Sequence, residues 1–261
     1  MPSLTVHLAP EAPHADVVIV IDVLRFTTSA ATALANGALS ITPCETVAQA
    51  RTAAVAHPAA LLAGERQAIK PHGFHLGNSP LEFTAEAVQG RDIIWTTTNG
   101  TRAIALALTP PASTPAFTLP HPAALALPLP LPRAGDIFLA SFVNLTAVES
   151  LLEPRLRGGS SVAVVCAGRE GGFALEDAVC AGALVRGLAQ RLGNALTVND
   201  GARASACIDE AYGEDIARIF RDAQHGRTLR DLGYGADLDA CGTLDAVEIV
   251  PRWRGGRFTA R

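Results

Sequence analysis

The sequence predicts an α/β fold around a mostly parallel or mixed sheet. Two observations carry this. Short apolar runs rich in Val and Ile end abruptly in polar residues, and they alternate with Ala-rich stretches of helical character. The chain has 261 residues, 49% hydrophobic and 18% charged. That length and balance suit one compact unit, residues 1–261, whose strands are buried on both faces.

The elements follow in order. Residues 17–21 (VVIVI) read as a strand ending at Asp22, with a helix expected over 27–36. Residues 60–63 (ALLA) form the next run and end at Gly64-Glu65. Residues 92–95 (DIIW) lead to Thr96-Thr97-Thr98-Asn99-Gly100-Thr101 and a helix over 101–108. Residues 136–142 (DIFLASF) end near Asn144, before a helix over 145–153, and 162–167 (VAVVCA) end at Gly168-Arg169-Glu170. Two longer helices are expected over 176–191 and 202–220. Residues 109–135 break the rhythm, holding eight of the 17 prolines. Proline removes a backbone donor and fixes φ, so this is a loop or connector. Either it is an excursion within one unit, or it joins two similar lobes. The second alternative has an internal echo on its side: Ala63-Gly64-Glu65-Arg66 and Gly73-Phe74-x-Leu76 against Ala167-Gly168-Arg169-Glu170 and Gly172-Phe173-x-Leu175. Such an echo would mark an internal duplication.

Composition excludes several classes. A net charge of -4 and a pI near 6.0 give no global field toward nucleic acid or an anionic membrane. Of the 21 basic residues, 20 are Arg and one is Lys70. Arg suits bidentate oxyanion binding, although codon bias would produce the same usage. The five cysteines are scattered without a Cys-x-x-Cys pair, as expected of reduced, buried thiols. No secretory signal and no membrane-length apolar run are visible, so a cytoplasmic protein is expected. A homo-oligomer is left open.

In a parallel sheet, ligands bind beyond the carboxyl ends of the strands. That rule gathers Asp22, Arg25, Glu65, Asn99, Thr101, Asn144, Arg169 and Glu170 at one rim. Three segments read as anion cradles: Asp22 to Thr28, with Thr27 or Thr28 as helix cap; Thr96 to Thr101, with Asn99 as cap and Gly100 allowing close approach; and Gly77-Asn78-Ser79-Pro80. Exposed amides at helix starts favour phosphate or sulfonate. Each segment taken alone is equally an ordinary cap. Asp22, Glu65, Glu176 and Asp177 are candidate Mg2+ ligands, since Mg2+ takes carboxylate oxygens and keeps several waters. Asp237 and Asp239 are weaker candidates. No phosphate loop of the Gly-x-x-x-x-Gly-Lys type and no Gly-x-Ser-x-Gly elbow is present. Asp22-Val23-Leu24 lacks the second acid of a dehalogenase-type phosphatase, and Cys166 stands too near Arg169 for a cysteine phosphatase. The histidines at 57, 72, 75, 121 and 225 show no metal-binding spacing.

Together, these segments resemble the 2-phosphosulfolactate phosphatase family. The matching pieces are Ile21-Asp22-Val23-Leu24-Arg25 with Thr27-Thr28, Gly64-Glu65, Gly73-Phe74-x-Leu76-Gly77-Asn78-Ser79-Pro80 and Thr97-Thr98-Asn99-Gly100-Thr101. Further along come Ser141-Phe142-x-Asn144, Cys166-Ala167-Gly168, Glu176-Asp177 with Ala181-Gly182, and Leu229-x-x-Leu232-Gly233 with Asp237 and Pro251. The resemblance implies a three-layer α/β/α fold and Mg2+-dependent hydrolysis of 2-phospho-3-sulfolactate to 3-sulfolactate and phosphate, a step of coenzyme M synthesis in methanogens. On this reading Asp22 and Glu65 are catalytic. Arg25, Thr27, Thr28, Asn78, Ser79, Thr98, Asn99, Gly100, Thr101, Asn144 and Arg169 bind substrate. The metal falls to Asp22, Glu65, Glu176 and Asp177. Two other readings stand beside it: a phosphatase for another small phosphorylated acid, and a non-catalytic binder of anionic metabolites.

Overall fold

A computed structural model describes residues 2–109, 135–213 and 215–260. Strands β1 (Ser3–His7) and β2 (Val17–Ile21) lead into α1 (Phe26–Ala35). Next come β3 (Ser40–Pro43), α2 (Val47–Ala56), β4 (Leu61–Gly64), α3 (Ala85–Val88), β5 (Asp92–Thr96) and α4 (Gly100–Leu108). The second half begins with β6 (Asp136–Ala140), α5 (Leu145–Arg157), β7 (Ser161–Cys166) and α6 (Leu175–Leu192). It continues through β8 (Thr197–Val198), α7 (Asp200–Tyr212), α8 (Ile216–Asp222), α9 (Gln224–Asp231) and α10 (Gly235–Cys241). A hairpin of β9 (Arg252–Arg254) and β10 (Arg257–Thr259) follows.

All these strands belong to one mixed sheet, in the order β4-β5-β3-β10-β9-β6-β2-β7-β1-β8. Strands β8, β1, β7, β2 and β6 are mutually parallel. So are β3, β5 and β4. The β9–β10 hairpin stands between these groups and pairs antiparallel at every contact. The two parallel groups therefore run in opposite senses.

Helices cover both faces of the sheet, as the α/β/α reading requires. On one face, Val17, Ile19 and Ile21 of β2 pack with Val162, Val164 and Cys166 of β7 against α5, α6 and α8. On the other, Val18 and Val20 meet Phe26 and Ala30 of α1, Ile104 of α4, and Ile41, Ile93 and Trp95 of the second strand group. Alternate residues of a strand point to opposite faces, so β2 contributes to both cores. Trp95 is fully buried, stacked on Phe83 and meeting the edge of Phe26. Helix α4 follows β5 yet packs on β2 and β7. It thereby brings the loops after β5 and β2 together, despite the opposed strand directions.

The structure differs from expectation at several elements. The helix expected over 202–220 is two, because α7 ends at Gly213 with φ +60. Asp215 restarts the helix by accepting the Arg218 amide. The short strands β1, β3, β9 and β10 and the helices α2, α9 and α10 are additional. The proline-rich stretch, and with it the alternative of two lobes joined there, falls outside the described residues. Among the described residues, no helix is long and apolar enough to cross a membrane.

Glycine 182 explains how α6 and α7 approach so closely. A Cβ at this position would collide with the backbone carbonyl of Ser205 and the Cβ of Asp209. Gly182→Val should therefore cost about 1–3 kcal/mol by overpacking. Urea unfolding would read this as a lower midpoint with an unchanged m-value.

Candidate active site

Strand β2 ends in a rigid backbone clamp. The Asp22 amide donates to Thr27 Oγ1 (3.0 Å), and the Asp22 carbonyl accepts from both the amide and the hydroxyl of Thr27 (2.9 and 2.8 Å). Thr28 Oγ1 similarly donates to the Val23 carbonyl (2.9 Å). Neither threonine caps α1 with its side chain; the N-cap position is Arg25, without a side-chain cap bond. Both hydroxyls are buried and engaged with backbone, so they hold the loop rather than offer an anion cradle. The Asp22 carboxylate faces a cavity of about 280 Å3.

That cavity is lined by Asp22, Leu24, Arg25, Glu65, Gln67, Ala68, Asn78, Thr97, Thr98, Asn99, Arg169, Glu170, His225 and Thr228. Six of the eight residues expected at one rim are therefore together. The exceptions are Thr101 and Asn144. Thr101 is buried, with its hydroxyl on the Thr97 carbonyl (2.7 Å). Asn144 is fully buried and donates to the carbonyls of Leu139 and Ile249. Each spends its side chain on backbone carbonyls and does not line the cavity.

Glu65 follows β4 and spans two loops. Its Oε2 accepts the Ala68 amide and its Oε1 the Thr98 amide, both at 2.7 Å. Gly64, at φ +142, lets this turn lie directly on the Thr96 carbonyl. The turns at 66–69 and 169–172 each close with an isolated antiparallel bridge, which is a local likeness between the two echoing segments. The helix cap at α4 also differs from expectation. Thr97 Oγ1 accepts the Thr101 amide (3.1 Å), while Asn99 Oδ1 accepts the Glu170 amide across the cavity mouth (3.1 Å). Gly100 does allow a close approach, since a Cβ there would lie 2.6 Å from Asp22 Oδ2.

Arg25 is buried in an ion pair with Asp237 (2.6 Å) and also donates to the Ala68 carbonyl (3.0 Å). Its guanidinium lies over the Tyr234 ring. Ser79 donates to the other Asp237 oxygen (2.6 Å). Asp237 is thus an anchor for Arg25, and Ser79 does not line the cavity. Asn78 does, with its Oδ1 accepting from Trp95 Nε1 (3.2 Å). Arg169 donates to Thr228 Oγ1 (3.0 Å).

Glu176 and Asp177 open α6 beneath the cavity. Asp177 gives one oxygen to the Val23 amide and the other to the Gly168 amide, both at 2.9 Å. Burial, Glu176 and Asp22 push its acidity toward higher pKa, and the two amides pull it back. Glu176 Oε1 lies 3.5 Å from His225 Nδ1, while its buried Oε2 has no hydrogen-bond partner. Asp22 is raised from 3.8 to about 7, first by burial and then by the charges of Glu65 and Glu176; His225 and the Phe26 amide act in the opposite direction. Crowded acids with an orphaned oxygen suit a cation. Asp22 and Glu176 are the residues that could hold one, with Glu65 nearby. Among the described residues, no three His, Cys, Asp or Glu side chains converge as a closed metal cage.

The family model for 2-phosphosulpholactate phosphatase matches residues 3–113 and 130–256. The chain belongs to the 2-phosphosulfolactate phosphatase family. A relative from Pseudothermotoga lettingae named a probable 2-phosphosulfolactate phosphatase is 35% identical, over 93% of this chain and 91% of its own. Relatives of the same name from Thermotoga maritima and Deinococcus radiodurans are 35% and 36% identical, over 96% and 95% of this chain and 95% and 92% of theirs.

In this family member, His225 and Thr228 are cavity residues that the sequence reading did not select. Their signal was available: they are three apart, hence on one face of a helix. Thr97 was hidden by its neighbours, since three threonines in a row give no means of choosing the inward one.

Two outcomes follow from these environments. Below the unfolded pKa of 3.8 Asp22 is protonated in both states, and its raised folded value favours folding only while the proton stays on. That contribution is lost as pH rises through about 7. In chelator-containing buffer, Asp22→Asn should match wild type near pH 4 and be more stable near pH 8, by at most roughly 4 kcal/mol. Thermal unfolding across that range checks the sign. Asp237→Ala leaves Arg25 buried without its partner and should destabilise by about 3–5 kcal/mol, measured by chemical denaturation.

Proposed function

We propose that the protein is a phosphatase that hydrolyses 2-phospho-3-sulfolactate to 3-sulfolactate and phosphate, with Mg2+ as cofactor. The observation that carries this is Asp22, an acid brought to about 7 in a cavity rimmed by Arg25, Arg169 and His225. A group that titrates near neutrality can accept a proton from water and return it to a leaving alkoxide. Family membership supplies the reaction class, and the names of the relatives supply the substrate.

Glu176, whose buried Oε2 has no hydrogen-bond partner, would hold Mg2+, which favours carboxylate oxygens and keeps several waters, and Asp22 would stay free as the base. When bound, Mg2+ would neutralise charge on the phosphoryl oxygens. This chain's own groups do the rest. Asp22 takes the proton of a water placed in line with the ester bond, and no side-chain nucleophile is required. Arg169 presents its guanidinium to an anionic group of the substrate, suited to two parallel bonds. Glu65 keeps the 65–69 turn and the Thr98 loop at fixed separation through its two amide bonds. His225, with Nδ1 3.5 Å from Glu176 Oε1, offsets the charge of the acids.

The test is phosphate release from 2-phospho-3-sulfolactate, with Mg2+ and with a chelator. Release that the chelator abolishes is expected, and Asp22→Asn should lower kcat by about 100-fold or more. A phosphoenzyme trapped by acid quench would overturn direct attack by water. Absence of release from this ester, with release from another phosphorylated hydroxy acid, would move the substrate assignment.

A further inference from the structure

A second concavity, of about 420 Å3, shares Thr97 and Thr98 with the catalytic cavity and continues along α4 past Thr101 and Arg102, with Glu45 on its wall. The two spaces are neighbours across the Thr97-Thr98 loop. Arg102 is exposed, and its guanidinium lies beside Gly171, where an added Cβ would be 2.9 Å from Nη1. Gly171 belongs to the tight turn 169–172, whose Arg169 and Glu170 line the catalytic cavity. Arg102 therefore stands at the shared lip.

Lack of a partner distinguishes this residue from the other guanidiniums around the catalytic cavity. Arg25 is committed to Asp237 and the Ala68 carbonyl, and Arg66 to Thr96 Oγ1 and the Glu45 and Glu65 carbonyls. Arg169 is bonded to Thr228. Arg102, by contrast, has no ion pair or hydrogen bond from its guanidinium to any described residue. The interior of the catalytic cavity is acidic, with Asp22 and Glu65 on its wall and Glu176 beneath. Of the substrate's three anionic groups, the phosphoryl would face Mg2+ and a second would face Arg169, while Arg25 is committed to Asp237. An uncommitted guanidinium for the third stands at the lip, on Arg102.

We propose that Arg102 is a specificity-determining residue that binds the sulfonate of the substrate at the junction of the two concavities. This rests on the phosphatase reading above and adds the selection of a sulfonated over an unsulfonated phospho-acid. A guanidinium offers a sulfonate two parallel N–H donors, and Arg102 has its fork free to do so. The exposed position suits discrimination rather than chemistry, because Arg102 lies outside the Asp22 cavity.

The experiment compares wild type, Arg102→Ala and Arg102→Lys on 2-phospho-3-sulfolactate and on 2-phospholactate, which lacks the sulfonate. Arg102→Ala is expected to raise KM for the sulfonated ester about 10- to 100-fold, the loss of a charge-assisted contact, with kcat nearly unchanged. KM for phospholactate should stay within about twofold, and Arg102→Lys should recover part of the loss. Equal losses on both esters, or none, would overturn the proposal. Calorimetric binding of 3-sulfolactate and of lactate requires no turnover. Weaker binding of sulfolactate alone by Arg102→Ala supports the role of Arg102 even if no ester is hydrolysed. Equal affinity in both proteins, or no binding to either, overturns it.

Discussion

The Asp177 carboxylate is the contact on which the rest of the site depends. One oxygen receives the Val23 amide beyond β2 and the other the Gly168 amide beyond β7. Parallel neighbours have no turn to bind their ends together, so their loops would otherwise drift independently. Stitched by one side chain, the Asp22 loop and the Arg169 turn become a single edge. Glu65 plays the same part in the other strand group, joining Ala68 to Thr98. In both cases an acid is placed by backbone donors, so geometry is set before any ligand arrives.

This construction concentrates negative charge. Asp22, Glu65, Glu176 and Asp177 share one buried region, and the nearest fully buried cation, Arg25, is balanced by Asp237. Isolated charges are costly to bury. The response is visible at Asp22, which is displaced toward the neutral form by its surroundings. The same crowding that weakens the fold raises Asp22 toward neutrality, the range in which the proposed proton transfer would need it. On that proposal, stability and chemistry are set against each other at one carboxylate.

Much of this was legible from residue patterns. The runs at 17–21, 92–95 and 162–167 were all strands, because β-branched residues in short buried runs have few alternatives. The polar ends of these runs and of the run at 60–63 gathered Asp22, Glu65, Asn99 and Arg169 at one cavity. Asn144 failed because a polar residue beyond a strand end can tie down carbonyls instead of facing solvent. Thr27 and Thr28 show the same ambiguity, since a hydroxyl near a helix start serves backbone as readily as ligand. His225 and Asp237 were harder to place, as both come from short helices whose packing is decided by tertiary contacts. The seam of the sheet was illegible for a related reason: β9 and β10 are three residues each and meet their outer neighbours through single residue pairs.

That seam bears on how the chain assembles during synthesis. Among the described strands, the hairpin that stands between β6 and β3 is the last pair to leave the ribosome, at residues 252–259. Until then, no continuous ladder links the two parallel groups, although both have long been made. Each group must await its bridge with an edge exposed, β6 on one side and β3 on the other. Open edges invite pairing with other chains. From the completion of β6 until the hairpin is made, the nascent protein therefore carries two vulnerable borders, and the hairpin seals both at once.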